Sequence, residues 1–187
     1  MCMRKRAVFF DRDDTLIENI PYLGDPEKVV LADGARESLA RLKDAGFLLF
    51  LVSNQSGVGR GWIRREEVEA VNRAIQSRLE VPFFSRIYLS FASPDNDPLG
   101  DRKPSPLLLW RAAHEFGIEL SRSYFVGDRI ADVLCGRNAG CQTVLLAAKE
   151  PKKEAERAWD WARNLADRVV PSLSAAADWI LASSGPA

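Results

Sequence analysis

The sequence predicts an α/β fold, a three-layer, Rossmann-like, doubly wound parallel sheet. Short apolar runs alternate with amphipathic stretches along the whole chain, which is typical of parallel strands joined by crossover helices. The chain has 187 residues, about the size that one hydrophobic core serves. We therefore expect residues 1–187 to form a single domain.

Each element is predicted from a local pattern. Ala7–Phe10 is a continuous apolar run, as expected for a strand buried on both faces, and it ends at Asp11. A helix is predicted to start after Asp33, a good N-cap residue, and to end near Gly46, a common helix stop. The later predicted elements are a strand at Phe47–Val52, a helix at Arg65–Leu79, a strand at Ile87–Phe91, a helix at Leu107–Phe116, a strand at Tyr124–Val126, a helix at Ile130–Ala139, a strand at Thr143–Leu146, a helix at Ala155–Leu165, a strand at Val169–Val170 and a helix at Leu173–Leu181.

Composition and charge narrow the classes of function. The chain carries 26 acidic and 26 basic residues, so it lacks the basic excess of proteins that bind nucleic acid or anionic membranes. No apolar run approaches the roughly 20 residues needed to span a bilayer. The three cysteines, Cys2, Cys135 and Cys141, show no pattern of a disulfide framework. We expect a cytoplasmic monomer or small homo-oligomer without nucleic-acid or membrane partners.

Polar side chains follow four of the predicted strands. In open α/β sheets, ligands bind outside the carboxyl ends of the strands, so these turns are expected to meet in one cleft. In strand order, the turns contain Asp11 to Thr15, Ser53 to Gly57, Arg102 to Pro104, and Gly127 and Asp128 with Asp132 beyond.

The chemistry of these side chains indicates phosphoryl transfer. Three carboxylates in one cleft repel each other, and a divalent cation usually relieves the repulsion. Mg²⁺ is the natural candidate because it prefers oxygen ligands and needs neither cysteine nor histidine. Ser53, Lys103 and the amides of the turn containing Gly57, Gly59 and Gly61 are groups that bind a phosphoryl group, although those glycines also fit a simple flexible turn. A small phosphorylated metabolite is the expected partner.

The four segments together resemble the haloacid dehalogenase superfamily of phosphatases. Within it they are most similar to the branch of histidinol-phosphatases and D-glycero-D-manno-heptose 1,7-bisphosphate phosphatases. The matching segments, found between about residues 7 and 146, read F-F-D-R-D-D-T-L, S-N-Q-S-G-V-G-R-G, R-K-P-S-P and G-D-R-I-A-D. The resemblance implies minimal or no cap, because the intervals where relatives insert large caps are occupied here by core elements.

The resemblance implies a role for each matched position. Asp11 matches the nucleophile, and Asp13 matches the acid that protonates the leaving alcohol and then activates water. Ser53 and Lys103 match the residues that stabilise the transferring phosphoryl group. Asp11, the backbone carbonyl of Asp13 and Asp128 match the ligands of Mg²⁺.

Other positions are expected to contact the substrate or to support the site. Arg102 matches a substrate-recognition position, and Asp132 is expected to brace Lys103 or the metal-bound waters. The full set of candidate substrate-binding residues is Asn19, Tyr22, Asn54, Gln55, Ser56, Arg102 and Arg129.

The sequence departs from the family pattern at two informative places. Asp14 stands where the family usually has glycine, and we expect the backbone to tolerate it because aspartate accepts unusual backbone angles better than most residues. Heptose-bisphosphate members commonly carry a zinc-binding loop before the Arg-Lys-Pro segment. Here Ser90 to Asp101 contains neither cysteine nor histidine, so no zinc is expected.

These observations predict a magnesium-dependent phosphomonoesterase that acts through an aspartyl-phosphate on a small sugar phosphate. D-glycero-D-manno-heptose 1,7-bisphosphate, with hydrolysis at position 7, is the first expectation and histidinol phosphate the second. A polynucleotide 3′-phosphatase shares this core, but the neutral charge counts against it. A weakly catalytic protein that binds a phosphorylated ligand is the remaining alternative, in which Asp14 has damaged the metal site.

Overall fold

A computed structural model of the chain describes residues 5–147 and 156–185. Cys2 and the helix start predicted at Ala155 lie outside these residues. The helices and strands, in chain order, are β1 (Ala7–Phe10), α1 (Ala35–Asp44), β2 (Leu48–Asn54), α2 (Ser56–Gly59), α3 (Arg65–Leu79), β3 (Phe84–Ser90), α4 (Leu107–Phe116), β4 (Tyr124–Gly127), α5 (Ile130–Ala139), β5 (Gln142–Leu146), α6 (Glu156–Leu165), β6 (Arg168–Val170) and α7 (Leu173–Ser183).

The six strands form one parallel sheet in the order β3-β2-β1-β4-β5-β6. The chain builds outward from β1 to β2 and β3, and then returns to place β4 on the other side of β1. This reversal between β1 and β4 is a topological switch point, where ligands bind in open α/β sheets. The predicted fold class is confirmed.

The core lies on both faces of the sheet. Successive side chains of a strand point to opposite faces, so Val8 and Phe10 pack with α1, α3 and α7, whereas Ala7 and Phe9 pack with α4 and α5. All four residues of β1 are therefore buried, as their continuous apolar run predicts.

The bounds of β1, α3, α4 and α5 agree with those predicted from the sequence. β2 extends further than predicted because Ser53 and Asn54 continue the pairing with Leu89 and Ser90 of β3. These two candidate site residues thus belong to a strand end rather than to the turn after it. The segment from Ser56 forms the short helix α2, where the glycines had suggested a flexible turn.

Two further predictions of element bounds were wrong. β3 begins at Phe84 rather than Ile87, because it is an edge strand whose exposed Ser85 and Arg86 interrupt the apolar run that the prediction required. Gly34, not Asp33, is the residue before α1, with a φ angle of 70° that its missing side chain allows.

None of the helices in residues 5–147 and 156–185 combines the length and apolar character needed to cross a lipid bilayer.

Phe50 provides a test of the core. It is fully buried, and its ring centroid lies 5.2 Å from that of Phe9 and 5.1 Å from that of Phe116. We expect Phe50→Ala to lower the free energy of unfolding by about 3 to 5 kcal/mol, as measured by urea denaturation. Trp161→Ala, at an exposed position, should change it by no more than about 0.5 kcal/mol. Equal losses in the two variants would contradict this packing.

Candidate active site

The candidate site lies at the carboxyl end of the sheet, beside the switch point between β1 and β4. Asp11 directly follows β1, and Asp128 directly follows β4. Ser53 is the second-last residue of β2, and Lys103 lies in the loop that connects β3 with α4. The structure therefore brings together the four segments that the sequence analysis singled out.

A buried lysine occupies the centre of the site. The ammonium group of Lys103 lies 2.6 Å from Oδ1 of Asp11 and 2.6 Å from Oδ1 of Asp132, and it donates a hydrogen bond of 2.9 Å to the carbonyl of Val52. Burial acts to lower the pKa of Lys103, but the charges of Asp11 and Asp132 outweigh it and raise the pKa above its ordinary value. Lys103 is therefore positively charged at neutral pH.

The expected contact between Asp132 and Lys103 is confirmed. The other carboxylate oxygen of Asp132 accepts a hydrogen bond of 3.0 Å from the backbone N–H of Arg129, at the start of α5. Gly127 allows this arrangement, since a Cβ atom there would lie 2.5 Å from the Cβ, Cγ and Oδ2 atoms of Asp132. The absence of a side chain at Gly127 therefore leaves space for Asp132, which pairs with Lys103.

Three carboxylates form a group that fits a hard cation. One oxygen from each of Asp11, Asp128 and Asp132 lies within 4.8 Å of the others. Oδ1 of Asp128 is buried and has no hydrogen-bond partner among the residues described. Burial raises the pKa of Asp128 to about 8, and the charges of Asp132 and Asp11 act in the same direction. A divalent cation with oxygen ligands would satisfy this oxygen and relieve the repulsion.

The carboxylate of Asp13 lies outside that group of three. It accepts hydrogen bonds of 3.1 Å from Nε and from a terminal nitrogen of Arg12, and one of 3.0 Å from Gln55. Gln55 also donates to Oγ of Ser53 at 2.9 Å. No role was predicted for Arg12, whose one signal in the sequence is its place between two aspartates of the first motif.

Asn54, at the end of β2, binds the loop that contains Lys103 through two hydrogen bonds. Its side-chain amide donates to the carbonyl of Lys103 at 3.1 Å, and its side-chain oxygen accepts from the N–H of Lys103 at 3.0 Å. Both functional groups of Asn54 are thus engaged with the backbone. The expectation that Asn54 contacts substrate, like that for Ser56 at the start of α2, stays a prediction.

Tyr22 and Trp62 form an aromatic pair next to Gly57 of α2. Their ring centroids lie 4.5 Å apart in an edge-to-face arrangement, and both side chains are exposed. The guanidinium of Arg60 stacks over the Trp62 ring at 5.0 Å. Tyr22 has a φ angle of 53°, which is uncommon for an aromatic residue.

Arg102 lies close enough to Arg60 and Arg129 for their charges to affect its pKa. Burial lowers the pKa of Arg102 from its ordinary value; the charge of Asp97 opposes this effect, and the smaller effects of the Arg60 and Arg129 charges act in the same direction as burial. Arg102 also donates to the carbonyl of Ala92 at 3.1 Å. We call this group of three arginines the cationic side of the candidate site. Acidic side chains lie beside each of them: Asp97 accepts from the N–H of Arg102 at 3.3 Å, Arg60 lies 4.0 Å from Asp95, and Arg129 lies 3.5 Å from Asp128.

Asp14 adopts the left-handed backbone conformation, with a φ angle of 55°, in accord with the expectation that aspartate tolerates the position. Its carboxylate accepts a hydrogen bond of 2.8 Å from the side-chain amide of Asn19. The negative charge of Asp14 acts to raise the pKa of both Asp128 and Arg129, after the larger effects of burial and nearer charges. Asp14 therefore adds negative charge to the cleft.

Comparisons with known proteins identify the family of the chain. The model of the HAD-hydrolase-like family matches residues 101–176. A D-glycero-D-manno-heptose-1,7-bisphosphate 7-phosphatase of Thermosynechococcus vestitus is 31% identical over 196 residues, covering 98% of this chain and 100% of that protein. A D-glycero-beta-D-manno-heptose-1,7-bisphosphate 7-phosphatase of Helicobacter pylori is 32% identical over 183 residues, covering 96% and 99%.

The chain belongs to the heptose-bisphosphate phosphatase branch of the haloacid dehalogenase superfamily. Its fold is that of the superfamily. The crystal structure of D,D-heptose 1,7-bisphosphate phosphatase from B. bronchiseptica, complexed with magnesium and phosphate, superposes with a TM-score of 0.80 at 24% identity, covering 95% of this chain and 98% of that chain. As a member of this superfamily of phosphatases, the chain is a phosphoric monoester hydrolase, which confirms the resemblance inferred from its motifs.

The close approach of Gly127 to Asp132 generates a prediction. We expect Gly127→Ala to push Asp132 away from Lys103 and to lower the free energy of unfolding by about 1 to 3 kcal/mol. Phosphatase activity should fall by about tenfold, if the displaced contact contributes about 1.4 kcal/mol to the transition state.

Gly24→Ala is the matched control. A Cβ atom at Gly24 would lie 3.4 Å from the side chain of Glu67, which is an ordinary contact. Urea denaturation and a phosphate-release assay should show little change in this variant. Wild-type stability and activity in Gly127→Ala would contradict the tight packing at Asp132.

Proposed function

We propose that this phosphatase uses Asp11 as a nucleophile with Mg²⁺ and that its substrate is a D-glycero-D-manno-heptose 1,7-bisphosphate, cleaved at position 7. The observation that carries the proposal is the buried contact of 2.6 Å between Asp11 and the charged Lys103 at the switch point of the sheet. A carboxylate nucleophile needs a positive group to receive the anionic phosphate, and Lys103 provides one. The names of the two relatives support the choice of sugar.

In the first proposed step, an oxygen of Asp11 attacks the phosphorus and the bond to the sugar oxygen breaks. Asp13 gives its proton to that oxygen, so the sugar leaves as an alcohol rather than an alkoxide. In the second step, water attacks the phosphoaspartate while Asp13 takes a proton from it. Phosphate leaves, and Asp11 and Asp13 return to their starting states.

Lys103 and Ser53 are proposed to hold the phosphoryl group during both steps. Ser53 lies next to Lys103 in space, because Lys103 donates to the carbonyl of Val52. A cationic donor and a hydroxyl donor can share the charge that develops on the phosphoryl oxygens.

Mg²⁺ is proposed to bind Asp11, Asp128 and the backbone carbonyl of Asp13, and when bound it supplies positive charge to the phosphoryl group. The unpartnered Oδ1 of Asp128 supports this choice among the described residues. The carboxylate of Asp13 is engaged by Arg12 and Gln55, which leaves its backbone as the proposed ligand. No zinc is part of the proposal.

The cationic side of the cleft supports a substrate with a second phosphate. Arg60, Arg102 and Arg129 each carry a guanidinium group, and guanidinium groups bind phosphate through paired hydrogen bonds. A phosphate at position 1 of the sugar would lie at the far end from Asp11, where a cleft without a large cap leaves the substrate to be held by loop residues. We propose that these arginines bind it there.

One observation favours a second candidate, histidinol phosphate. The carboxylate of Asp14 adds negative charge to the cleft, and Asn19 fixes its position. The amine and imidazole of histidinol can be cationic, so Asp14 would attract them and repel a second phosphate. The three arginines oppose this effect, and for that reason the bisphosphate is placed first.

We further propose that the whole chain is one domain and that it works in the cytoplasm. The continuous sheet, covered by helices on both faces, supports the first proposal. The buried free thiols of Cys135 and Cys141 support the second, because unpaired cysteines suit a reducing compartment. A monomer or small homo-oligomer stays a prediction.

The test is a phosphate-release assay with and without Mg²⁺. Its substrates are the α and β anomers of heptose 1,7-bisphosphate, histidinol phosphate and p-nitrophenyl phosphate. We expect the highest kcat/KM for one of the bisphosphate anomers and loss of activity when EDTA removes the metal. Asp11→Asn, which keeps the size of the side chain, should abolish turnover while circular dichroism shows the fold intact.

Turnover by Asp11→Asn would refute the nucleophile assignment. A higher kcat/KM for histidinol phosphate would replace the proposed substrate with the second candidate. Equal rates with Mg²⁺ and with EDTA would remove the metal from the mechanism.

The cationic side of the cleft is tested by Arg102→Met. If Arg102 binds the distal phosphate, its loss should lower kcat/KM for the bisphosphate by about tenfold or more, since a hydrogen bond to a charged group contributes about 1.5 to 3 kcal/mol. Activity on p-nitrophenyl phosphate, which lacks a distal phosphate, should change little. Arg122→Met, at an exposed position away from the cleft, is the control. Equal losses on both substrates would exclude a role specific to the distal phosphate.

A further inference from the structure

Arg12 is the largest side chain that is fully buried among the described residues, with a relative exposure of 1%. Burying a guanidinium is unfavourable unless charged and hydrogen-bonded partners surround it. Arg12 directly follows the proposed nucleophile, yet it makes none of the described contacts with Asp11. Its position therefore needs another explanation.

The described partners of the Arg12 side chain are Asp13, Gln55 and Asn72. The guanidinium faces both oxygens of Asp13, with Nε at 3.1 Å from Oδ1 and a terminal nitrogen at 3.1 Å from Oδ2. It also donates to Oε1 of Gln55 at 2.8 Å and to Oδ1 of Asn72, on α3, at 3.4 Å. Among the described residues, Asp13 is the carboxylate with which Arg12 forms an ion pair.

We infer that Arg12 is a positioning residue for the general acid Asp13, an inference that rests on the proposed mechanism. A planar fork of two N–H groups fixes the plane of a carboxylate, which a point charge does not. The helix α3 in turn fixes Arg12 through Asn72. Asp13 is therefore held in one orientation by a group that takes no part in the proton transfer.

The contacts of Arg12 are shared between both oxygens of Asp13. Oδ2 accepts hydrogen bonds from Arg12 and from Gln55, and Oδ1 accepts one from Nε of Arg12. The terminal nitrogen that bonds to Oδ2 also lies 3.1 Å from Oδ1. The guanidinium therefore spans the whole carboxylate, which fixes its plane.

The same arginine orients Ser53 through Gln55. Because a guanidinium only donates, the Gln55 atom that faces it must be the oxygen. The amide nitrogen of Gln55 then faces Asp13 and Oγ of Ser53, to which it donates at 3.0 Å and 2.9 Å. Since Oγ of Ser53 accepts this bond, its own hydroxyl proton is available to the phosphoryl group.

This role predicts a dependence on the leaving group. A sugar alkoxide needs the proton of Asp13 as the bond between phosphorus and oxygen breaks, whereas p-nitrophenolate leaves without protonation. Removing Arg12 should therefore slow transfer from an alkyl phosphate to Asp11 far more than transfer from p-nitrophenyl phosphate. Loss of the fold would slow both equally.

The experiment measures the first turnover of Arg12→Met, Arg12→Lys and Asp13→Asn by rapid mixing. The substrates are p-nitrophenyl phosphate and the alkyl phosphate that the wild type hydrolyses fastest. We expect Arg12→Met to slow the first turnover of the alkyl phosphate by about 10²-fold, which is the lower end of the range for general-acid catalysis. The rate of the p-nitrophenolate burst should change little. Asp13→Asn should show the same pattern, and Arg12→Lys should recover part of the loss.

Arg6→Met is the matched control. Arg6 is also buried, donates to the carbonyls of Ser184 and Ala45, and stacks on Phe47, away from the cleft. Arg6→Met should keep the wild-type ratio between the first-turnover rates on the alkyl phosphate and on p-nitrophenyl phosphate. In the double variant with Asp13→Asn, Arg12→Met should cause little further loss on the alkyl phosphate, because the acid is already absent.

Three results would overturn the inference. Equal losses on the two substrates would give Arg12 a structural role alone, as would failure of both Arg12 variants to fold while Arg6→Met folds. A wild-type ratio of rates in Arg12→Met would show that Asp13 needs no positioning. If Asp13→Asn itself showed no dependence on the leaving group, the acid assignment of the proposed function would fail first, and the inference with it.

Discussion

The charge of Lys103 determines how the rest of the site can be arranged. Its loop must return from β3, at the edge of the sheet, to the centre, and it is held there by Asn54 and by the carboxylates of Asp11 and Asp132. Such a buried group tolerates little change, because removing one partner leaves an uncompensated charge. Gly127 follows from the same constraint, since any side chain there would displace Asp132.

Four aspartates in one small site have different surroundings. Asp11 and Asp132 share the lysine, Asp128 has a buried oxygen without a described partner, and Asp13 is held by Arg12. Carboxylates of identical chemistry acquire different roles when their surroundings differ in charge and hydrogen bonding. Asp11 and Asp132 thus differ from Asp128 and Asp13 in their neighbours, which supports the separate roles proposed for the nucleophile, the partner of the lysine, the cation ligand and the acid.

The fold and the meeting of the four motif segments at one edge of the sheet were predictable because both depend on local sequence patterns. Buried strands such as Ala7–Phe10 appear as apolar runs, and polar residues at their ends mark the cleft. The edge strand Phe84–Ser90 was misplaced because one side of it meets solvent. Arg12, Asn54 and Gly127 were missed or assigned otherwise, since their contacts join residues far apart in the chain, and no local pattern records such pairings.

Strand ends and loops contribute different parts of the candidate site. Asp11, Ser53 and Asp128 stand at strand ends, which the parallel sheet fixes in place, whereas Lys103, Arg102 and Asp14 lie in loops. The proposed function assigns Arg102 to the distal phosphate, so a substitution there is expected to change which molecule is bound without moving Asp11. The charge of Asp14 acts on Asp128, and in the proposed function substrate choice depends on the balance between this negative charge and the charges of the arginines.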